Sequence, residues 1–197
     1  MLFWDCPGRL EGESSFPRAA SADTIDQKTS EDFHNIHRTC GGGWLVKYDD
    51  ASWHYGGAFP AHLPPEAGST HIAIFVAWCV LNGMAADFHT DNCAELLAAL
   101  KARHISPAQW FIAACDEKFT DEDLTEEGNA FAAAYYGAGG NLASDPNAYL
   151  ADYEKEFSEA ESLYEVADNW ETFDRIAPQI ALRFEKRSKP RWWKRWS

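Results

Sequence analysis

The sequence lacks several patterns that would assign a class of protein directly. No stretch reaches the roughly 18 apolar residues that a membrane-spanning helix needs. The longest apolar run, HIAIFVAWCVLNGM at 71–84, is typical of a buried core helix. The N-terminus MLFWDCPGRLEGESS has no basic segment and contains Asp5 and Glu11, so no secretory signal is expected. P-loop, dinucleotide-binding and EF-hand patterns do not occur.

Cysteine is scarce, and its spacing suggests no disulfide framework. The five cysteines, at positions 6, 40, 79, 93 and 115, are odd in number and form no CxxC motif. Together with the expected lack of an export signal, this favours reduced thiols in a cytoplasmic protein.

Basic residues are few and lie mostly at one end of a chain whose formal net charge is −14. Residues 183–197 hold seven of the 17 Lys and Arg residues and a single acid. The first 182 residues therefore carry thirty acidic and ten basic side chains. A body this acidic repels nucleic acid and anionic membranes and attracts basic proteins. Nucleic-acid binding by the body is not expected.

Hydrophobic periodicity predicts a mainly α fold, a single compact helical domain of about five to six helices with a small β-hairpin near its start. The hairpin would pair WLVKY (44–48) with SWHYG (52–56) across an Asp-Asp turn. Pro178 should kink or divide the last helix. The predicted helices cover 71–83, 92–103, 106–117, 120–137, 145–157 and 168–187.

Three segments are predicted along the chain. Residues 1–43 would form an irregular or mobile N-terminal arm, 44–187 the helical domain, and 188–197 a basic, Trp-rich tail. The tail sequence KPRWWKRWS suits anionic lipid or nucleic-acid stacking, and also suits folding back onto the acidic body. Folding of the tail back onto the acidic body of the same chain is favoured here, and membrane contact through the tail is the less favoured alternative.

The stretch KYDDASWHYGG (47–57) concentrates groups used in catalysis. Lys47, Asp49, Asp50, Ser52 and His54 lie within eight positions. A Ser-His-Asp triad would need an oxyanion hole, and no nucleophile-elbow glycine pattern surrounds Ser52. The favoured interpretation is a turn whose aromatic residues pack on the helices.

Two other groups have residue types that bind metals. One contains His34, His37 and Cys40, and the other contains Asp87, His89, Asp91 and Cys93. Neither has a matching second pair, as a structural zinc site requires. Chance clustering is favoured for both, and no metal or other cofactor is expected.

An acidic run, CDEKFTDEDLTEE at 115–127, has two interpretations. Its carboxylates would complement the dipole in the first turn of a helix, or would form an acidic surface for a basic partner.

Several blocks resemble a bacterial domain family of unknown function over about residues 44–187. They are KYDDASWHYGG with the segment that follows it, CDEKFTDEDL, NAFAAAYY and LYEVADNWETFDRIAP. The resemblance implies no catalytic assignment. It implies a small bacterial cytosolic protein, such as a stand-alone accessory protein or an immunity partner to a toxin.

The leading hypothesis is a non-catalytic, acidic protein-binding module, of the immunity type that neutralises a basic toxin. Trp53 and Tyr55, with Tyr135 or Tyr136, would be its anchors. Its carboxylates would be those around 152–171 together with Asp116, Glu117, Asp121, Glu122 and Asp123.

The alternative hypothesis is an enzyme or a small-ligand-binding protein. Its pocket would be lined by Lys47, Asp49, Asp50 and His54, with Asp116 or Glu117 alongside. His54 would act as the acid–base group. This hypothesis requires Asp49 and His54 to converge in a concave pocket.

Overall fold

The computed structural model describes residues 44–55 and 59–188, together with the backbone of a strand at 36–38. The predicted mainly helical fold is confirmed: the described residues contain six α-helices of eight residues or more and one of five. The helices are α1 (Thr70–Cys79), α2 (Asp87–Asp91), α3 (Ala94–Lys101), α4 (Pro107–Cys115), α5 (Glu126–Tyr135), α6 (Tyr149–Glu156) and α7 (Trp170–Ser188). The predicted tail after Ser188 and most of the predicted arm lie outside the described residues, as do His34, Cys40 and the side chain of His37.

A small antiparallel sheet lies beside the helices in the order β1-β2-β3. Its strands are β1 (Ile36–Arg38), β2 (Trp44–Asp50) and β3 (Lys118–Thr120). The register of β2 and β3 pairs Lys47 with Thr120 and Asp50 with Lys118, with an irregularity between Lys47 and Asp49. The central strand therefore takes one of its partners from about 70 residues further along the chain.

The prediction that residues 52–56 form the second strand of a hairpin is wrong. Residues Ala51–His54 form a turn of 3-10 helix instead. The Oδ1 atom of Asp50 accepts hydrogen bonds from the backbone N–H of Ser52, at 3.0 Å, and from its hydroxyl, at 2.6 Å. Asp50 therefore caps the turn, and the chain bends away from β2.

The predicted helix over 120–137 begins later than expected. Lys118–Thr120 form strand β3, and α5 begins at Glu126, where Thr125 caps the helix by accepting a hydrogen bond from Gly128. The acidic residues within 116–123 therefore lie in the turns before and after β3. They do not form the first turn of a helix.

Two other helix signals have clear outcomes. The predicted helix over 106–117 corresponds to α4, which begins with a capping box of Ser106 and Gln109 and has Pro107 in its first turn. Pro178 lies inside α7 and does not divide it, since Trp170–Ser188 is one continuous helix.

Helix α1 is the centre of the core, and all ten of its residues are buried. The stretch Pro65–Met84, which contains it, is long and apolar enough to cross a membrane by length and composition alone. Within the domain, 78% of its apolar window is buried, as in the core helix of a soluble protein. The ring of Phe75 on α1 lies 4.9–6.1 Å from aromatic rings of β3, α5, α6 and the residue after α5. This aromatic packing joins α1 to β3, α5 and α6.

Candidate functional site

Two residues of the KYDDASWHYGG stretch converge as the alternative hypothesis requires. The Nε2 atom of His54 lies 3.0 Å from Oδ1 of Asp49. Asp49 is the next-to-last residue of strand β2 and is buried, and His54 ends the following 3-10 turn and is partly buried. The turn that Asp50 caps is therefore what brings His54 back to Asp49.

The carboxylate of Asp49 is held by further donors. Its Oδ1 accepts the backbone N–H of Asp50 at 2.8 Å, and its Oδ2 accepts the hydroxyl of Tyr136 at 2.5 Å. Burial alone would raise the pKa of Asp49, but the contacts with His54 and His71 lower it well below its usual range. Asp49 is therefore ionised, and it acts only as an acceptor.

His71, in the first turn of α1, is the third polar group of the cluster. Its imidazole is fully buried, and its ring centroid lies 4.6 Å from that of His54. Its Nε2 lies 3.7 Å from Oδ2 of Asp49, too far for a hydrogen bond, and neither ring nitrogen has a hydrogen-bond partner. Burial lowers the pKa of His71, although Asp49 acts in the opposite direction. The ring is therefore neutral.

Tyr164 extends the cluster on the side of Nδ1 of His54, at a distance of 3.0 Å from its hydroxyl. Because ionised Asp49 can only accept, Nε2 of His54 carries the hydrogen and Nδ1 accepts from Tyr164. Burial and the nearby charge of Asp49 raise the pKa of Tyr164. The result is a chain of hydrogen bonds from Tyr164 through His54 to Asp49.

A cavity of about 170 Å³, called the Asp49 cavity below, adjoins this chain. Asp49 and His54 supply its polar groups, and its remaining lining is mainly aromatic, aliphatic or glycine: Trp53, Tyr136, Gly139, Gly140, Leu142, Ala143, Ala148 and Leu150. Tyr164 lines a separate, wider pocket of about 310 Å³. The three linked side chains therefore lie between two concave surfaces.

The other predicted residues of the stretch are not part of this cluster. Lys47 forms an ion pair with Asp50 at 2.8 Å and lies 5.5 Å from the ring centroid of Trp53. Ser52 donates to Asp50 and His54 bonds to Asp49, so a Ser-His-Asp triad is not formed. Lys47 and Asp50, expected as pocket lining, do not line the Asp49 cavity, and together with Ser52 they build the turn.

Asp116 and Glu117 were expected beside this pocket, and neither lines the Asp49 cavity. Glu117 accepts hydrogen bonds from the hydroxyls of Tyr55 and Ser69, at 2.9 and 3.3 Å. Asp116 is exposed and forms an ion pair with Lys118. Asp116 and Glu117 also have left-handed backbone conformations, with φ of 50° and 60°, because the chain turns sharply from α4 into β3.

The predicted partner-binding carboxylates divide by exposure. Glu122 is exposed, Asp121 is partly buried and accepts the backbone N–H of Val46 at 3.1 Å, and Asp123 is buried. Asp123 accepts the N–H of Thr120 at 2.7 Å, so it fixes the turn after β3 and is not available to a partner. In the 152–171 region, Asp152 is buried against Arg183.

The predicted aromatic anchors divide in the same way. Trp53 is 47% exposed and Tyr55 is 38% exposed, so both can touch a partner. Tyr135 and Tyr136 are buried in the core, and the expectation that either serves as an anchor is wrong.

A second group of possible metal ligands is formed by His89, Cys115 and Asp123, all of them buried. The Nε2 atom of His89 lies 3.2 Å from Oδ1 of Asp123. The sequence places His89 with Asp87 and Asp91, but both of these are exposed on α2 while His89 is directed into the protein.

Sequence analysis missed His71 and Tyr164, and it assigned Tyr136 a different role. His71 opens an apolar helix that is buried on all sides, so periodicity gives it no distinguishing face. Tyr164 is 110 residues from His54, and no local pattern joins the two. The available signal was a histidine in an otherwise apolar helix, because a buried imidazole needs polar partners.

The comparisons with known proteins give a family and no activity. Residues 47–166 match the model of a domain of unknown function, DUF7832, and this confirms the resemblance to an uncharacterised family. No curated protein and no solved structure matches the chain. The matched segment contains Asp49, His54, His71, Tyr136 and Tyr164.

Proposed function

The chain belongs to the family of the domain of unknown function DUF7832. We propose that it binds a small, largely apolar molecule in the Asp49 cavity. His54 exchanges a proton with the bound molecule or hydrogen-bonds to it. This corresponds to the alternative hypothesis drawn from the sequence, with Asp49 and His54 retained and with Tyr136 and Tyr164 added.

The observation that carries the proposal is the buried Asp49–His54 pair at the wall of a concave cavity. A carboxylate that accepts from Nε2 fixes the orientation and the tautomer of the imidazole. Nδ1, which accepts from Tyr164, becomes the acceptor for a bound molecule that displaces the Tyr164 hydroxyl. A partly buried histidine that is oriented by a buried carboxylate at a cavity wall is typical of a binding or catalytic site.

The volume and the lining limit the class of ligand. A cavity of about 170 Å³ is comparable with engineered cavities of about 150 Å³ that bind benzene. Most of the lining is apolar, and the acidic body disfavours an anion. The expected ligand is a small neutral or cationic molecule with an apolar body and one hydroxyl or amino group.

Phenol is a suitable first probe, with toluene as its matched apolar control. In a titration of the ¹⁵N-labelled protein, phenol should shift the indole N–H of Trp53 and the amides of Gly139 and Gly140. His54→Ala should weaken the binding of phenol more than the binding of toluene, because only phenol can hydrogen-bond to the imidazole.

The matched control variant is His62→Ala. His62 is exposed and lies beside Glu165, outside the Asp49 cavity. Ala143→Trp, which adds volume at the lining, should block both probes. The proposal fails if neither probe shifts the Trp53, Gly139 or Gly140 signals, or if Ala143→Trp leaves the shifts unchanged.

A second candidate function is the binding of a basic protein, of the immunity type expected from the charge. The supporting observation is the exposure of Trp53 and Tyr55 together with the acidic residues Asp116 and Glu122. Partner capture from cells should then decrease with salt and with Trp53→Ala, and His54→Ala should leave it unchanged. Capture that does not depend on salt would count against this candidate.

Both candidate functions are compatible with a cytoplasmic location. Among the described residues, Cys79, Cys93 and Cys115 are buried and form no disulfide.

A further inference from the structure

The imidazole of His71 is buried without a hydrogen-bond partner. The ring is fully buried, and neither nitrogen forms a hydrogen bond. A buried polar group without a partner is destabilising, and such groups in native proteins are usually satisfied by protein, water or an ion. The neighbouring polar side chains are Asp49 and His54, both at the wall of the Asp49 cavity.

The spacing of these three side chains suits a metal ion. One ligand atom from each of Asp49, His54 and His71 lies within 4.8 Å of the other two. The distances from Asp49 oxygens to His54 Nε2 and His71 Nε2 are 3.0 and 3.7 Å. Ligands at about 2.0–2.2 Å from a tetrahedral ion lie about 3.3–3.6 Å apart. The two carboxylate–imidazole distances are therefore close to those that such an ion requires, and the two imidazole ligand atoms lie within 4.8 Å of each other.

We propose that Asp49, His54 and His71 bind one divalent transition-metal ion at the polar end of the Asp49 cavity. Two histidines and one carboxylate form a ligand set used by catalytic zinc and by non-haem iron, where an open position is left for water or substrate. Asp49 and His54 line the cavity, so the open position would face the molecule bound there. In this respect the inference rests on the proposed function and extends it.

The surroundings of the ligands support this assignment. Tyr136 and the N–H of Asp50 fix the Asp49 carboxylate, and Tyr164 lies at Nδ1 of His54. Metal ligands are commonly oriented by such outer hydrogen bonds. When Nε2 of His54 binds the ion, its hydrogen is lost and Nδ1–H donates to Tyr164. Metal binding therefore reverses the tautomer of His54. The acidic body also favours the approach of a cation.

The His89, Cys115 and Asp123 group is the competing site within the same chain. In that group Nε2 of His89 has a hydrogen-bond partner in Asp123, at 3.2 Å, and only its Nδ1 has none, whereas both ring nitrogens of His71 are without one. The two groups also differ in chemistry, because only the competing site contains a thiol. A thiolate bound to Co²⁺ gives intense charge-transfer absorption, and a site of nitrogen and oxygen ligands gives only weak d–d bands.

The test is titration of the metal-depleted full chain with Co²⁺, followed by visible and near-ultraviolet absorption. The expected result is one Co²⁺ per chain with d–d bands and no thiolate charge transfer. Cys115→Ser should leave this spectrum unchanged. His71→Phe should weaken Co²⁺ binding by more than the roughly 10–100-fold that the loss of an outer hydrogen-bond partner causes. Phenylalanine fills the buried volume without unpaired nitrogens, so this variant is expected to fold.

A second measurement requires no variant. Zn²⁺ added to the ¹⁵N-histidine-labelled protein should move the ring nitrogens of His54 and His71, with the signals of His54 reporting the reversed tautomer. The signals of His62 and His104, which are exposed, should stay in place. Failure of the folded chain to bind Co²⁺, or binding with charge transfer that Cys115→Ser removes, overturns the proposal.

The phenol titration separates this inference from the proposed function. Phenol binding by a chain that binds neither Co²⁺ nor Zn²⁺ leaves the cavity proposal intact and overturns the metal site. If the chain binds metal at His54 and His71 but neither phenol nor toluene shifts the Trp53, Gly139 or Gly140 signals, the metal site is supported and the cavity proposal fails.

Discussion

The hydroxyl of Tyr136 donates a 2.5 Å hydrogen bond to Oδ2 of Asp49, inside the protein and at the wall of the Asp49 cavity. Burial and the charge of Asp49 both raise the pKa of Tyr136 well above its usual value, so the hydroxyl keeps its proton and serves as a donor. Tyr136 follows the last turn of α5, and Asp49 lies near the end of β2. This hydrogen bond therefore joins the end of α5 to strand β2 at the candidate site.

Removal of that hydroxyl should destabilise the fold. Tyr136→Phe leaves Oδ2 of the buried carboxylate without this donor, and we expect a loss of about 1–2 kcal/mol in the free energy of unfolding. Tyr55→Phe is the matched control, because the hydroxyl of Tyr55 bonds to Glu117 at a partly exposed position. The loss in the free energy of unfolding caused by Tyr55→Phe should stay below about 0.5 kcal/mol. Urea unfolding of the two variants gives the comparison, and equal losses would contradict the role assigned to Tyr136.

The loop after α5 forms a wall of the Asp49 cavity and depends on Gly137. Gly137 has φ of +84°, and an added Cβ would collide with Oδ1 of Asn141 and lie 2.9 Å from Cγ of Leu142. Gly137→Ala should therefore move Leu142, which lines the cavity, and weaken the binding of phenol and toluene alike. The free energy of unfolding of Gly137→Ala should fall by more than the roughly 1–2 kcal/mol that the left-handed conformation alone costs.

Gly83→Ala is the control for that conformational cost. Gly83 has φ of +85°, and an added Cβ there would meet nothing within 4 Å. The control should lose about 1–2 kcal/mol and bind the probes as the parent chain does. If both alanine variants lose the same stability and the same affinity, crowding at Leu142 is not the cause.

Local sequence signals determined much of the fold. Ser106 followed by Pro107 predicts the start of α4, and the apolar run at 71–84 predicts a central helix, because both signals act within one or two turns of chain. The pairing of β2 with β3 depends on residues about 70 positions apart, and no turn motif specifies it. The acidic residues before α5 were therefore assigned to a helix that begins only at Glu126.

The candidate site was predicted in part for the same reason. Asp49 and His54 lie in one short stretch, and the sequence identifies both as candidates. The turn between them reverses the chain because Asp50 caps it, and this arrangement brings the two side chains together. Tyr164 reaches His54 from a distant segment, and His71 is hidden in an apolar helix. Such contacts depend on tertiary packing, which periodicity does not encode.

The N-terminal cap of α4 offers a test of local stabilisation. Ser106 accepts the N–H of Gln109 at 3.2 Å, and its hydroxyl also donates to Asp168, which in turn accepts the N–H of Ala108 at 3.0 Å. Ser106→Ala should therefore lower the free energy of unfolding by about 1–2 kcal/mol. Thr125→Ala removes only a 3.3 Å bond from the N–H of Gly128 and should lower it by about 0.5–1 kcal/mol. Thermal unfolding of both variants tests this order, and a larger loss for Thr125→Ala would contradict it.

The contact of Asp152 with Arg183 joins α6 to α7 and makes stability depend on pH. Arg183 donates to both carboxylate oxygens, at 2.6 and 2.8 Å, and the hydroxyl of Tyr135 donates to Oδ2 at 2.9 Å. Burial would raise the pKa of Asp152, but the hydrogen bonds from Arg183 and Tyr135 lower it below its ordinary value. The unfolded chain therefore binds a proton at this carboxyl at a higher pH than the folded chain does.

The sign of the effect follows from that difference. The stabilisation is fully present above the unfolded pKa, which is about 3.9, and is lost as pH falls through the lower folded pKa. Asp152→Asn should reduce stability by about 1–2 kcal/mol at pH 7 and show a shallower further loss between about pH 5 and pH 3.

The control is Asp174→Asn, since Asp174 pairs with Arg103 at 2.7 Å where both side chains are about half exposed. An exposed pair contributes little, so this variant should change the pH profile much less. Urea unfolding of the three proteins at each pH gives the answer, and parallel profiles for the parent chain and Asp152→Asn would show that Asp152 is not linked to folding in this way.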